Sequence, residues 1–145
     1  VGLNYRMSGI QGAVLGVKLK YLEMWTQMRQ KNAALYTHLL ANSPITTPAI
    51  GKDRTHVFHL YVVRLPPGTD RADVQEKLNA RGVANGLHYP IPLHMQPALK
   101  DLGYLQGNFP ITEGAAQDSL SLPMYPELTF EQIQYTVDTL LEVLQ

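Results

Sequence analysis

The side chains best suited to chemistry lie in one short segment, residues 88–94, which reads His-Tyr-Pro-Ile-Pro-Leu-His. It carries two imidazoles and a phenol, groups that donate and accept hydrogen bonds near neutral pH. Proline fixes its own φ angle, so this loop loses little conformational freedom when a ligand binds. The segment favours hydrogen bonding to a polar ligand. A rigid connection with half-buried histidines is the alternative that the residues alone leave open.

Other catalytic and metal-binding patterns are weak in this sequence. The chain has no cysteine, which excludes disulfides, thiolate metal sites and cysteine nucleophiles. His56 and His59 are three residues apart on a predicted strand and therefore point to opposite faces. His38 has no carboxylate or histidine four residues away. His88 and His94 flank a proline-rich turn and could converge, but no acidic ligand is close to them in sequence. There is no nucleophile elbow, glycine-rich dinucleotide turn or P-loop. We expect no metal site.

Length and charge limit the class of protein. The 145 residues, 45% of them hydrophobic, exclude disorder and fit one domain. Twelve Lys and Arg residues balance twelve Asp and Glu residues, so no net charge favours nucleic acid or an anionic membrane. No apolar run approaches the ~20 residues that span a bilayer, and the N-terminus lacks a signal-peptide pattern. We expect a cytoplasmic protein without nucleic-acid or membrane partners.

A long helix is predicted near the N-terminus. Ser8 and Gln11 have the spacing of a capping box. Apolar residues then recur at steps of three and four, with one five-residue and one seven-residue gap, and no proline occurs before Pro44. The pattern predicts one amphipathic helix over residues 9–41, about 50 Å long. It exceeds the ~26 Å diameter of a domain of this size. With the non-Met start, this length indicates a piece of a longer protein.

The remainder, residues 42–145, is predicted as a compact α+β unit. A loop covers residues 42–55 with a short edge strand around Ile45. The predicted strands are 56–65, 83–89 and 120–124, the predicted helices are 70–79, 111–118 and 129–144, and a helical turn covers 98–102. The expected fold is α+β, a small, mainly antiparallel sheet with helices on one face, preceded by the one long helix.

Several separated segments resemble motifs of one known family. Residues 2–8 and 10–13, residues 88–94 and residues 120–129 occur in the family's order. Smaller matches follow at Gly103, Tyr104, Phe109, Pro110 and Glu113. The family is DegT/DnrJ/EryC1/StrS, the PLP-dependent nucleotide-sugar aminotransferases of fold type I, and the similarity runs from Val1 to the C-terminus. Departures are mild: Gly9 and Gly12 stand where many members carry Glu and Ala, and residues 84–86 differ from commoner forms.

The resemblance implies a division of the enzyme in which this chain is the C-terminal part. Residues 1–41 would hold the Asn-Tyr-Arg motif and the long inter-domain helix, and residues 42–145 the small α+β domain. The large PLP-binding domain, with the Schiff-base lysine and the aspartate that pairs with the pyridine nitrogen, would precede Val1. All six lysines of the chain follow the motif, so none takes the catalytic place. PLP chemistry needs both groups, and we predict that this chain alone does not transaminate.

The resemblance also implies roles for five residues, none of them in covalent chemistry. Asn4 would donate to the PLP phosphate of the neighbouring subunit, and a helix start suits such a dianion. Arg6 would face the substrate phosphates, with a structural ion pair near the dimer seam as its alternative. His88, Tyr89 and His94 would contact sugar and diphosphate. The implied partners are a nucleotide-sugar substrate, an amino-acid donor and a second copy of the chain in a homodimer.

Two other interpretations remain open from the sequence. One is a stand-alone, non-catalytic interaction module that self-associates through the long helix, where Gly12 and Gly16 form a flat stripe. The other is a PLP-dependent sugar dehydratase of the same family, in which histidine replaces the catalytic lysine. The residue that decides between lysine and histidine lies outside this sequence.

Overall fold

The computed structural model describes residues 6–145, so Asn4 lies outside the described residues. In chain order the elements are α1 (Gly9–Leu19), α2 (Leu22–Leu39), β1 (Tyr61–Arg64), α3 (Arg71–Ala80), α4 (Pro110–Asp118), β2 (Ser119–Leu122) and α5 (Phe130–Val143). Two 3₁₀ helices, Leu93–Met95 and Pro97–Leu102, lie between α3 and α4. The α+β fold with a small antiparallel sheet is confirmed.

The N-terminal helical region differs from its prediction. The single helix expected over residues 9–41 is two helices, α1 and α2, separated by a turn at Tyr21. There the Tyr21 N–H donates to the Lys18 carbonyl, three residues back, at 3.0 Å, which interrupts the α-helical ladder. The turn falls in the five-residue gap between Val17 and Leu22. The apolar stripe changes face at this gap, so one straight helix would not keep it on one side.

The two helices differ in burial. α1 begins with the predicted capping box, since Ser8 Oγ accepts from the Gln11 N–H at 3.2 Å and Gln11 Oε1 accepts from the Ser8 N–H at 2.8 Å. It buries none of its side chains, whereas α2 packs on the core through Ala33 and Tyr36. No helix within residues 6–145 combines the length and apolarity needed to cross a membrane.

The two-stranded sheet has two chemically different faces. β1 and β2 pair antiparallel, with Tyr61 opposite Leu122 and Arg64 opposite Ser119. Side chains alternate along a strand. The core face carries the buried side chains Tyr61, Val63, Leu120 and Leu122, which join α2, α3 and α5 in one hydrophobic cluster. The second face carries Val62, Arg64, Ser119 and Ser121.

The strands are shorter than predicted. β1 starts at Tyr61 and not at residue 56, because Phe58 adopts a left-handed φ of 49° and its N–H donates to His56 Nδ1 at 2.8 Å. His56 and His59 are therefore not strand residues, and the opposite-face argument does not apply to them. Among residues 6–145, no three His, Asp or Glu side chains group as metal ligands.

The strand predicted over residues 83–89 is absent, and only Gly86 bridges to Ser121 of β2. β2 itself ends two residues earlier than the predicted 120–124. Near Ile45, the predicted edge strand is reduced to one bridge, between Thr46 and Arg64. Among residues 6–145 the sheet therefore has two full strands, with one isolated bridge on the outer edge of each.

Two helices of the compact unit, predicted over 70–79 and 129–144, start at side-chain caps. Asp70 Oδ1 accepts from the Ala72 and Asp73 N–H groups at 3.0 and 3.2 Å, which starts α3. Gly82, with φ of 74°, follows the end of that helix. Thr129 and Gln132 form a second capping box, at the start of α5. Prediction and structure agree here because each cap involves groups only two or three residues apart.

Candidate functional site

The candidate site is built on a loop, residues 86–109, that leaves the sheet and returns at α4. Gly86 and Ser121 exchange two backbone hydrogen bonds, Gly86 N–H to Ser121 O at 3.1 Å and Ser121 N–H to Gly86 O at 2.9 Å. This double bridge holds the first end of the loop against β2.

The first histidine of the loop is held by the second face of the sheet. Nδ1 of His88 lies 2.8 Å from Oγ of Ser121, at hydrogen-bond distance. Tyr89 meets the His88 ring edge-on, with centroids 5.5 Å apart, and is 73% exposed. One hydrogen bond thus orients the imidazole of His88, which is also an exposed residue, whereas the Tyr89 phenol projects into solvent.

The second histidine fastens the far part of the loop. Nε2 of His94 donates to Oε1 of Glu113 at 3.0 Å, and its side chain is only 8% exposed. The Glu113 carboxylate also accepts from the N–H groups of Gly107, at 2.8 and 2.9 Å, and of Phe109, at 3.1 Å. The Phe109 ring lies 4.8 Å from the His94 ring. One carboxylate on α4 thus binds three residues of the loop, His94, Gly107 and Phe109.

These contacts alter the acidity of the carboxylate. The Gly107 N–H, followed by the Phe109 N–H and His94, stabilises the charged form and lowers the pKa of Glu113 below its ordinary value of 4.5. Partial burial opposes this and is outweighed. Glu113 is therefore ionised at neutral pH and holds the loop as an anion.

A cavity of about 280 Å³ lies between the loop and α4. Its polar lining comes from His88, Gln96, Thr112 and Ser119. Its apolar wall includes Ile91 and Pro92 of the proline-rich turn, which also line an adjoining cavity of about 310 Å³. A few polar groups on an apolar wall are typical of small-molecule clefts, whose usual volume starts at about 300 Å³.

The α4–β2 junction that forms the back of this cavity is held by two arginines. Arg71 Nη1 donates to the carbonyls of Ala116 and Ser119. Arg64 makes a two-point ion pair with Asp118, from Nε to Oδ1 at 2.8 Å and from Nη2 to Oδ2 at 2.7 Å. Both contacts link the junction to other elements, so the cavity wall does not depend on the loop alone.

The structure brings together some of the predicted site residues and separates others. His88 and Tyr89 line the cavity, and His94 lies beneath the loop on Glu113. Arg6 lines a different groove, about 560 Å³, formed with the first turns of α1. No residue of the loop lines that groove. A single copy of residues 6–145 therefore does not gather Arg6 with the histidines.

Sequence reasoning assigned no role to three residues that shape the site. Ser121 could have been noticed in the sequence, because a polar residue between Leu120 and Leu122 of a buried strand needs a hydrogen-bond partner. Glu113 belonged to the resembling stretch but had no role assigned to it. Thr112 of the cavity wall had no signal, because it occupies an ordinary position on an amphipathic helix.

The PLP cofactor that the resemblance implies does not fit these residues alone. It needs a lysine amine for its aldehyde and a carboxylate for its pyridine nitrogen. All six lysines are exposed, and none lines either cavity beside the loop. Glu113 is already occupied by the loop. Within residues 6–145, the available groups suit the oxygens of a sugar or phosphate and not the reactive part of the cofactor.

Comparison with known proteins gives a consistent picture. Residues 1–141 match the DegT/DnrJ/EryC1/StrS aminotransferase family. The chain is 43% identical over 145 residues to the "Pleiotropic regulatory protein" of Geobacillus stearothermophilus, covering 98% of the chain and 38% of that protein. It is 39% identical over 134 residues to the UDP-2-acetamido-2-deoxy-3-oxo-D-glucuronate aminotransferase of Pseudomonas aeruginosa, covering 92% and 36%.

The fold is shared with a solved structure, S. venezuelae DesV in complex with a ketimine intermediate. The two align with a TM-score of 0.88 and 35% identity, over 97% of this chain and 38% of that one. The chain thus spans little more than a third of the length of the proteins it matches.

Proposed function

The chain belongs to the DegT/DnrJ/EryC1/StrS aminotransferase family, and from that membership we propose that it is the C-terminal part of a PLP-dependent aminotransferase. In this proposal the chain binds a nucleotide-linked keto sugar, and the rest of the enzyme holds the cofactor. When bound, PLP supplies the electron sink for amino transfer. This chain contributes recognition and orientation, and it does not transaminate alone.

The observation that carries the proposal is the cavity under the His88–His94 loop. Its imidazole, hydroxyl and amide groups stand on a wall that prolines, Ser121 and Glu113 hold in shape. A preformed wall loses little entropy on binding and favours a ligand with many oxygens. A sugar diphosphate has that chemistry.

Each predicted residue has a place in this proposal. His88 and Tyr89 donate to sugar or phosphate oxygens at the cavity mouth. His94 lines neither cavity beside the loop, so in this proposal it holds the loop in shape through Glu113 and does not touch the ligand. Arg6 binds phosphate through its forked donors, and Asn4 donates to the PLP phosphate of the neighbouring subunit.

A homodimer is part of the proposal for a geometric reason. Arg6 and His88 line separate cavities within one chain. A two-fold axis would let the N-terminal segment of one copy approach the loop of the other. Each site would then combine residues of both subunits, and neither subunit would be complete alone.

The proposal is tested by titrating the chain with uridine diphosphate in a calorimeter. We expect His88→Ala to weaken binding about tenfold, the effect of losing one hydrogen bond to a charged group. Tyr89→Phe should weaken it less, because the phenol is 73% exposed and solvent competes for its hydrogen bond. His38→Ala, which changes an exposed histidine of α2, is the matched control.

Three outcomes would contradict the proposal. They are no binding by the wild-type chain, equal binding by His88→Ala and wild type, and amino transfer by the chain alone with PLP and an amino-acid donor.

A second candidate is a non-catalytic assembly module. α1 exposes Ile10, Val14 and Val17, at 81%, 52% and 60%, which is unusual for large apolar side chains of one helix. One relative also carries the name of a regulatory protein. This candidate predicts that Val14→Asp abolishes self-association in sedimentation experiments while the chain binds no uridine diphosphate. The aminotransferase proposal predicts that nucleotide binding is present.

A further inference from the structure

The buried hydroxyl of Ser121 has only one hydrogen-bond partner within residues 6–145. Ser121 is 4% exposed and lies on β2 between two buried leucines. Its Oγ lies 2.8 Å from Nδ1 of His88. A buried hydroxyl has one hydrogen to donate and must place it on an acceptor, because an unpaired donor away from water is destabilising. The direction of this hydrogen bond therefore matters.

Only one direction satisfies both groups. If His88 donated from a protonated Nδ1 to Oγ, the Ser121 hydrogen would be buried with no acceptor among the described residues. If Oγ–H donates to an unprotonated Nδ1, the hydroxyl and the ring nitrogen are both satisfied. In a neutral imidazole with no proton on Nδ1, the proton is on Nε2.

We propose that Ser121 is a positioning residue that holds neutral His88 in the Nε2–H tautomer and fixes the orientation of its ring. His88 then presents an N–H donor at the cavity, directed to an oxygen of the ligand. The contact with a ligand rests on the proposed function, whereas the tautomer and the ring orientation of His88 do not depend on it. A hydrogen-bond acceptor such as a phosphate or sugar oxygen is the chemistry that this donor selects.

The close approach of Gly86 is a second observation that supports the position of the His88 ring. A Cβ added at this position would lie 3.1 Å from Cε1 and 3.7 Å from Nδ1 of His88. The loop has little freedom to move aside, because the backbone of Gly86 is joined to Ser121 by two hydrogen bonds. An added Cβ would therefore require the imidazole to shift by a few tenths of an ångström, at the expense of its contact with the serine. The glycine leaves the space in which the His88–Ser121 contact forms.

The test is a long-range ¹H–¹⁵N NMR correlation of the imidazole rings of the 145-residue chain. It is recorded without ligand near pH 8, where an ordinary imidazole is neutral. In the wild type we expect His88 to show a single tautomer with the proton on Nε2. In Ser121→Ala we expect a measurable Nδ1–H population and a less restricted ring. Ser121→Thr, which keeps a hydroxyl, should restore the wild-type pattern.

Several controls make the result decisive. His88→Gln assigns the signals, and the His38 and His94 signals should be unchanged in every variant. Gly86→Ala is a second perturbation that leaves the hydroxyl in place, and by displacing the ring it should shift the tautomer population in the same direction. It keeps the test available if the Ser121→Ala chain does not fold.

The inference is overturned if Nδ1 carries the proton in the wild type, or if the folded variants leave the His88 signals unchanged. Because no ligand is used, loss of the proposed nucleotide binding would leave this result standing. Conversely, a chain that binds uridine diphosphate but carries the proton on Nδ1 would contradict only the present inference.

Discussion

The two faces of the β1–β2 sheet have different functions. The core face places Leu120 and Tyr61, both fully buried, in the cluster with α2, α3 and α5. The second face places Ser121 on His88 and Arg64 on Asp118. Along one strand, residues that stabilise the core therefore alternate with residues that shape the site, because successive side chains point to opposite faces of the sheet. Substitutions one residue apart should have separable effects.

The largest expected effect is on the core face. Leu120→Ala removes a fully buried side chain, and we expect it to lower the free energy of unfolding by about 3 kcal/mol. Urea denaturation followed by circular dichroism measures this. Ser121→Ala, one residue along, should cost about 1 kcal/mol, the usual effect of one hydrogen bond. Equal losses in the two variants would contradict the division between the faces.

The next effect is at the centre of the core, where the Tyr36 hydroxyl donates to the Pro123 carbonyl at 3.0 Å. Tyr36→Phe leaves that carbonyl without its partner and should cost about 1–2 kcal/mol near neutral pH, measured by the same denaturation. Tyr135→Phe changes an exposed tyrosine and is the control. A Tyr36→Phe chain as stable as wild type would contradict a role for this bond.

The same tyrosine predicts a dependence on alkaline pH. Burial is the main cause that raises the pKa of Tyr36 from 10.0 to about 12. Because the native pKa is raised, the stability that the neutral Tyr36 hydroxyl contributes is fully present below pH 10 and is lost as pH rises through 12. The loss approaches about 3 kcal/mol at the upper limit. Denaturation midpoints should therefore fall less steeply above pH 10 in Tyr36→Phe than in wild type.

A smaller effect is expected for the ion pair of the second face. Arg64 and Asp118 make two short hydrogen bonds, but their side chains are 43% and 22% exposed. Solvent screens such a pair, and a double-mutant cycle with Arg64→Gln and Asp118→Asn should give a coupling of about 0.5–1 kcal/mol. A coupling as large as the Leu120→Ala effect would show that the second face also stabilises the fold.

The smallest effect on global stability, and the most local, is expected at Glu113. Glu113→Gln places an NH₂ group against backbone donors, so the loop should loosen while the melting temperature stays unchanged. Amide hydrogen exchange at Gly107 and Phe109 should become about tenfold faster. Glu76→Gln, on exposed α3 surface, is the control. Unchanged exchange at both amides would refute the fastening role.

Acid should weaken the hydrogen bonds between Glu113 and the loop in the wild type, because it protonates the carboxylate. The pKa of Glu113 is lowered from 4.5, chiefly by the Gly107 N–H. Because the native pKa is lowered, the stability that the Glu113 carboxylate gives the loop is present above pH 4.5 and is lost as pH falls through the native pKa. Exchange at Gly107 should accelerate in that acidic range. The Glu113→Gln chain should lack this acceleration.

Helix positions were predictable because their signals are local. The capping pairs at Ser8 and Thr129 and the Asp70 cap each join groups two or three residues apart, and all three appear in the structure. Strands were predicted less well. The segment after residue 83 has strand-forming residues, yet only Gly86 pairs with Ser121, because a strand requires a partner that local propensity does not specify.

The candidate site was likewise predictable only where its signals are local in the sequence. Residues 88–94 stood out in the sequence because imidazoles, a phenol and prolines are concentrated there. Which of them faces the cavity was not predictable. His94 is held by Glu113, nineteen residues away, and His88 by Ser121, thirty-three residues away. Arg6 is absent from this cavity, although its motif resembles that of a substrate-binding residue.

The amino-acid sequence by itself determined the family, the helix starts and the segment that carries the chemistry, because these depend on residue types and short spacings. Only the tertiary structure decided that α1 stays exposed, that one carboxylate fastens the loop and that a strand serine orients a histidine. Those contacts join residues distant in the chain. They form only when burial of the core face has brought β2, α4 and the loop together.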